Sequence, residues 1–134
     1  MLTQEQRDQY GRDGYIVIPD FKSADEIARL RARAEAIVDA FDPAESRAIF
    51  TTRDQARASD AWFLGSDNTV RCFFEEEAFD ADGRLKQAKA LSINKIGHAM
   101  HDLDPVFAAF ARDARLAAVA RDLGLEQPQL WQSM

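Results

Sequence analysis

The stretch Ile93-Asn94-Lys95-Ile96-Gly97-His98-Ala99-Met100-His101 lies within the most regular apolar pattern of the chain. Apolar side chains recur every three or four residues along it and beyond it, at Ile93, Ile96, Met100, Leu103 and Phe107. This spacing is typical of an amphipathic helix and predicts one over residues 92–103. Asp104 as N-cap and Pro105 as first helical residue predict that a second helix follows over residues 105–112.

Local start and stop signals place the other helices. Thr3 with Gln6, and Ser23 with Glu26, match the pattern of a capping box. In a capping box the side chain of each residue accepts a hydrogen bond from the backbone N–H of the other at the start of a helix. They predict helices over residues 3–12 and 23–41. Gly124 predicts the end of a further helix over residues 114–123.

Runs of β-branched and aromatic residues predict three strands, over residues 15–18, 70–74 and 129–134. Helices and strands together predict an α+β fold. The last predicted strand contains no turn residue and no charged tail, so we expect the chain to stop inside a secondary-structure element. Its sequence is Gln129-Leu130-Trp131-Gln132-Ser133-Met134. Residues 1–134 would then be the N-terminal part of one larger domain, with an exposed strand edge that can pair with another chain.

Composition excludes several classes of protein. A chain of 134 residues with 46% hydrophobic residues can bury a core as one domain. Its net charge of -6 and pI near 4.9 argue against a nucleic-acid partner. No apolar run reaches the roughly 18 residues of a membrane span. The polar N-terminus lacks a secretory signal, and the single Cys72 forms no internal disulfide, so we predict a cytoplasmic protein in which this thiol is buried.

Residues 44–69 are irregular, with apolar anchors at Ile49-Phe50 and Trp62-Phe63-Leu64. A loop of this length in a compact domain is often functional, so we predict a lid over a site. Asp80-Ala81-Asp82-Gly83 predicts a turn, because the further oxygen ligands of a calcium loop do not follow it.

His98 and His101 are the chain's two histidines, spaced three residues apart on the predicted helix with Asp102 nearby. Helical zinc motifs use a four-residue spacing with an intervening glutamate. An iron facial triad commonly uses His-x-Asp, and here Leu103 stands two residues after His101. We therefore expect a surface or half-buried helical role for both histidines, and assign no catalytic residue and no metal ligand.

Lys95 stands at the edge of the apolar stripe. A lysine so placed can extend its ammonium group to solvent along an apolar surface. Alternatively, the ammonium group pairs with the carboxylate of an anionic ligand. The pattern alone leaves both interpretations open.

Several stretches together resemble the phytanoyl-CoA dioxygenase family, and within it the subgroup of phytanoyl-CoA dioxygenase domain-containing proteins. The resemblance runs from about residue 2 to residue 134. The stretches that carry it are Thr3-Gln4-Glu5-Gln6, Asp13-Gly14-Tyr15-Ile16-Val17-Ile18-Pro19, Arg71-Cys72-Phe73-Phe74-Glu75-Glu76, Ile93 to Phe107, Leu123-Gly124-Leu125 and Gln132-Ser133-Met134.

The resemblance implies an Fe(II)- and 2-oxoglutarate-dependent oxygenase built on a double-stranded β-helix, or jelly-roll, that hydroxylates a small organic or acyl substrate. It implies that Lys95 and Met134 line the 2-oxoglutarate pocket, with Met134 on the first barrel strand. It also implies that the iron-binding His-x-Asp lies beyond residue 134, so residues 1–134 alone should bind neither group tightly and should be inactive. The alternative is a stand-alone, non-catalytic binding or interaction module derived from that fold.

Overall fold

The computed structural model describes residues 1–51, 53 and 61–134. Its helices are α1 (Gln4–Asp13), α2 (Ala24–Ala40), α3 (Ala61–Leu64), α4 (Met100–Leu103), α5 (Pro105–Ala111) and α6 (Ala114–Asp122). Its strands are β1 (Arg71–Phe74) and β2 (Ile93–Gly97), and a 3-10 turn over Lys89–Leu91 leads into β2. The mixture of helices and a sheet is the α+β class that the sequence predicts. The described residues form a two-stranded sheet and not a barrel.

Four of the five predicted helices are confirmed, because their ends are fixed by local hydrogen bonds. Both capping boxes form at the starts of α1 and α2. The Asp104 carboxylate caps α5, and the Asp113 carboxylate caps α6. Gly14 and Gly124 adopt the left-handed conformation just after their helices, as a glycine there readily does.

The helix predicted over residues 92–103 is wrong for its first half, because residues 93–97 are strand β2, antiparallel to β1, and only Met100–Leu103 is helical. Cys72 pairs with Ile96, and Phe74 pairs with Ile93 across an irregularity that leaves Asn94 unmatched. Cys72 and Phe74 lie on one face, since side chains alternate along a strand. The extra residue therefore places Ile93 and Ile96 on that same face although they are three apart, a spacing that imitates a helix.

The strands predicted over residues 15–18 and 129–134 are also wrong. Both segments are irregular, and large apolar side chains in them are exposed, including Val17 at 70% and Trp131 at 88%. A strand requires a partner for its backbone N–H and C=O groups. Neither segment has a partner strand among the described residues.

The core is aromatic and lies on both sides of β1. On one side Phe73 packs against Phe50, Phe63 and the imidazole of His98, with ring centroids 5.9–6.4 Å apart. On the other side Phe74 packs against Phe41 and Phe79, at 5.7 and 4.8 Å. Cys72 lies on the same face as Phe74 and is buried as predicted, and burial raises the pKa of its thiol to about 11. These contacts fix β1 within the fold.

Other predictions have mixed outcomes. The turn at Asp80 is confirmed, with its carboxylate accepting from the N–H groups of Asp82 and Arg84. Ile49 forms a parallel bridge to Phe74, so that anchor of the irregular segment is confirmed. Residues 52 and 54–60 lie outside the described residues, and the lid stays a prediction. Among the described residues, none of the helices combines the length and apolar character needed to cross a bilayer.

An ion pair joins α2 to α5. Asp104 is 2% exposed, and its carboxylate accepts from the N–H groups of Val106 and Phe107 and from Arg33 Nε at 2.5 Å. Burial alone would raise the pKa of Asp104, but the hydrogen bonds from Arg33, Phe107 and Val106 lower it below its ordinary value. The carboxylate therefore acts as both a helix cap and an interhelical link.

Substitutions at Asp104 separate these two contributions. We expect D104A to destabilise the protein by about 2–5 kcal/mol, because it removes both the cap and the charged hydrogen bond from Arg33. D104N keeps a capping oxygen and is expected to cost about 1.5–3 kcal/mol, the worth of a hydrogen bond to a charged group. Urea unfolding measures both. R31A, on the exposed surface of α2, is the control and should stay within about 0.5 kcal/mol of wild type.

The pH dependence of these variants provides a second check. Because folding lowers the pKa of Asp104, its stabilisation is present above the ordinary carboxyl pKa of 3.8 and decreases as the pH falls below it. The difference between wild type and D104N should therefore shrink on acidification. Equal stability of wild type and D104A at pH 7 would contradict this account of the link.

Candidate functional site

Lys95 lies in β2, opposite Phe73 in the ladder, and not on a helix as the sequence predicts. Its ammonium nitrogen is 3.4 Å from the centroid of the Phe50 ring. No hydrogen bond or ion pair joins this ammonium to any residue that the structure describes. Burial lowers the pKa of Lys95 below its ordinary value. A half-buried cation with an aromatic face but no carboxylate partner is suited to bind an anion.

A groove of about 440 Å³ lies beside β2, and we call it the Lys95 groove. Both Lys95 and Met134 line it, so the structure brings the two predicted site residues together. Among its described lining residues, Lys95 alone is charged. The others are Ala34 and Val38 of α2, Ala90, Ile93, Asn94, Ile96, Met100, Phe107 and Met134. One cation in an otherwise largely apolar groove suits a ligand with an anionic end and an aliphatic body.

His98 follows β2 and is buried, not on a helix surface as predicted. Its ring packs edge-on against Phe63, with centroids 5.3 Å apart. Nδ1 lies 2.7 Å from Ser66 Oγ, and Nε2 has no hydrogen-bond partner in the part of the chain that the structure describes. The pKa of His98 is lowered by burial and by the charge of Lys95, while a hydrogen bond to Ser66 acts in the opposite direction. The site therefore favours a neutral imidazole next to the Lys95 cation.

The partners of Ser66 determine which nitrogen of His98 carries the proton. The single hydroxyl proton of Ser66 is donated to the backbone carbonyl of Phe63, at 2.5 Å. Nδ1 of His98 must then donate to Ser66 Oγ, because both atoms cannot act as acceptors. Neutral His98 is therefore the Nδ1–H tautomer, and its buried Nε2 carries a lone pair.

His101 is buried in α4 and contacts the C-terminal segment. Ser133 Oγ accepts from the His101 backbone N–H at 2.8 Å and lies 2.6 Å from its Nδ1. Nε2 of His101 lies 3.4 Å from an oxygen of Asp102. The two histidines thus face different hydroxyl groups instead of converging. No three His, Cys, Asp or Glu side chains among the described residues form a group that could hold a metal ion.

Sequence reasoning missed three site residues, namely Ser66, Ser133 and Gly97. The two serines contact histidines 32 residues away along the chain, and no local pattern signals such pairs. Gly97 is buried where a Cβ atom would lie 3.0 Å from Met134 Cβ. A glycine directly after Ile96 was the available signal, since glycine in a strand often marks a close approach by another segment.

Comparisons with known proteins show which family the chain resembles over most of its length. The family model described as "Phytanoyl-CoA dioxygenase (PhyH)" matches residues 10–134. The chain is 44% identical over 133 residues to a "Phytanoyl-CoA dioxygenase" of Arabidopsis thaliana, covering 99% of this chain and 47% of the relative. It is 38% identical over 138 residues to "Phytanoyl-CoA dioxygenase domain-containing protein 1" of Bos taurus, with the same two coverages. A homologue of the latter from Dictyostelium discoideum is 38% identical over 124 residues, 92% of this chain and 44% of the relative. The chain thus spans about half the length of these curated relatives.

The charge of Lys95 should be measurable at His98. We expect His98 to be the Nδ1–H tautomer and to titrate below its ordinary pKa of 6.5, because burial and Lys95 disfavour its cation. K95M removes the charge and should raise this pKa. ¹⁵N-histidine NMR across a pH series measures both the tautomer and the midpoint.

K86M provides the matched control, since Lys86 is exposed, and it should leave the His98 midpoint unchanged. Because folding lowers the pKa of His98, its contribution to stability is present above pH 6.5 and decreases as the pH falls below it. An unchanged midpoint in K95M would mean that the two side chains do not interact in solution.

Proposed function

The chain belongs to the phytanoyl-CoA dioxygenase family, and on that premise we propose that the protein is an Fe(II)- and 2-oxoglutarate-dependent oxygenase. We further propose that it hydroxylates a small organic or acyl substrate. The names of the relatives are those of dioxygenases, which favours this activity over the alternative of a non-catalytic binding module.

One observation supports the cosubstrate assignment above the others, namely the Lys95 ammonium without a carboxylate partner beside a groove that Met134 also lines. 2-Oxoglutarate carries two carboxylates joined through a short aliphatic chain. We propose that Lys95 pairs with one carboxylate, and that the polarizable Met134 side chain packs against the aliphatic part. These two residues would bind and orient the cosubstrate along one edge of its pocket.

Iron does not fit the described residues. Neither histidine belongs to a group of three potential ligands, and Nδ1 of each already faces a serine hydroxyl. Nε2 of His98 carries a lone pair but is enclosed by the aromatic core. We therefore assign no iron ligand among the described residues, and propose that residues 1–134 by themselves are inactive.

The helices and the sheet would support the cosubstrate site structurally. We propose that β1 and β2 belong to the jelly-roll of the intact domain and that α2 supports its outer face. In support, α2 contacts β2, and Ala36, Ile37 and Ala40 of α2 line a cavity together with Cys72 of β1. The opposite face carries Phe73, Lys95 and the aromatic cluster. The Lys95 groove lies beside β2 and is lined by residues of α2 as well as by Lys95, so α2 would also support the cosubstrate site directly.

Lys95 variants test this function on the protein with its complete natural chain. We expect K95M to weaken 2-oxoglutarate binding about ten- to a hundredfold, the worth of one hydrogen bond between charged groups. The KM for 2-oxoglutarate should rise accordingly, while kcat at saturation changes less, if Lys95 contributes mainly to ground-state binding. Calorimetric titration and measurement of 2-oxoglutarate decarboxylation provide the two readouts.

K86M again serves as control and should bind like wild type. K95R keeps the positive charge and should lie between wild type and K95M. Wild-type affinity in K95M would remove Lys95 from the site. If the iron-loaded wild type neither binds nor decarboxylates 2-oxoglutarate, the oxygenase proposal itself is wrong.

A further inference from the structure

The C-terminal segment reaches the Lys95 groove through a small set of contacts. We propose that Ser133, His101 and Gly97 are positioning residues that hold Met134 in the groove, an inference that rests on the function proposed above. We call these three residues the Met134 clamp. Its polar part is Ser133 with His101, and its steric part is Gly97.

The polar part of the clamp consists of two contacts at one hydroxyl group. Ser133 Oγ accepts from the backbone N–H of His101, and its own proton is then available to His101 Nδ1, 2.6 Å away. Of the hydrogen bonds among described residues, those of Ser133 alone connect residues 126–134 to the rest of the chain. Leu130 and Trp131, just before it, are 49% and 88% exposed. The position of Met134 therefore depends on its neighbour Ser133.

His101 is a firm anchor for these contacts. Its side chain is 5% exposed, and its backbone carbonyl accepts from Arg112, which follows α5. The same arginine pairs with Asp102, next to His101 in α4. Because α4 and α5 pack against each other, the His101 imidazole is carried by a packed helix and not by a free loop. The Ser133 hydroxyl, which is hydrogen-bonded to His101, is therefore held in place as well.

The steric part of the clamp is the absence of a side chain at residue 97. A Cβ atom there would lie 3.0 Å from Met134 Cβ and 3.8 Å from its Cα. Gly97 has no positive φ, so a left-handed conformation is not the reason for the glycine. The close approach of Met134 does explain it. Gly97 is two residues after Lys95 in β2 and on the same face of the strand, so a methyl group at residue 97 would push Met134 away from the groove.

Binding of 2-oxoglutarate by the full-length protein tests the polar part. We expect S133A to weaken binding about three- to tenfold, because loss of the hydroxyl frees the segment that carries Met134. S133T keeps the hydroxyl and should restore affinity to within about twofold of wild type. Urea unfolding midpoints of both variants establish that the fold is retained.

A double-mutant cycle shows whether Ser133 acts through Met134. S133A should have no further effect on binding in an M134A background, because the side chain that it positions is already gone. Additive losses would mean that Ser133 acts by another route, and would overturn the clamp. G97A should weaken binding by a similar factor to S133A, and wild-type affinity in G97A would overturn its steric part.

Methyl NMR gives a readout that is independent of activity. With ¹³C-methyl methionine, the Met134 signal, assigned by its loss in M134L, should shift in S133A and G97A and return towards its wild-type position in S133T. If K95M weakens 2-oxoglutarate binding but S133A and G97A change neither affinity nor the Met134 signal, the clamp is wrong and the proposed function stands. If wild type does not bind 2-oxoglutarate, the function is wrong, and the methyl shifts alone decide whether the clamp exists.

Discussion

The hydrogen-bonded ladder between β1 and β2 is the constraint on which the rest of the structure depends. Two strands alone are marginally stable, so the pair must be supported from both sides and at its edge. The second edge of β1 accepts the chain at Phe50, where Phe50 N donates to the Phe74 carbonyl and Phe74 N donates to that of Ala48. Trp62 Nε1 donates to the Cys72 carbonyl. Lys95 and Gly97 lie in β2, and His98 follows it directly, so they hold their positions only while this ladder is formed.

The helices could be predicted because their signals are local. A capping box or a proline at the first turn acts within four residues, and α1, α2, α5 and α6 all begin or end at such signals. The strands could not be predicted equally well, because a ladder joins segments that are distant in sequence. Residues 15–18 have a strand-like composition but no partner strand among the described residues, whereas β2 has a partner strand and a helix-like spacing of its apolar residues. The bulge at Asn94 is what converts strand alternation into a helix-like spacing of three.

The candidate site, like the fold, could be predicted only in part from the sequence. The resemblance to a family identifies Lys95 and Met134 as candidate residues. The apolar pattern alone leaves open whether the Lys95 ammonium extends to solvent or pairs with a ligand. Their shared groove depends on β2 being a strand and on Met134 approaching Gly97, neither of which the apolar pattern reveals. The histidines, which chemistry singles out first in the sequence, are structural here. Their hydroxyl partners, Ser66 and Ser133, carry no signal of their own, because serine is common on every protein surface.

The electrostatics of Lys95 make the groove suited to an anion, and they also carry a cost in stability. A cation partly removed from water is destabilising unless something compensates it, and its lowered pKa expresses that cost. The Phe50 ring compensates in part through its negative face, at 3.4 Å from the ammonium nitrogen. A carboxylate in the protein would compensate more fully, but it would occupy the position that an anionic ligand needs. His98 favours its neutral state for a related reason. A protonated His98 next to Lys95 would add repulsion between two cations and would supply no negative charge. An ammonium left without a counterion by the described residues is therefore a local instability, and a bound anion of the kind proposed above would relieve it by supplying the missing charge.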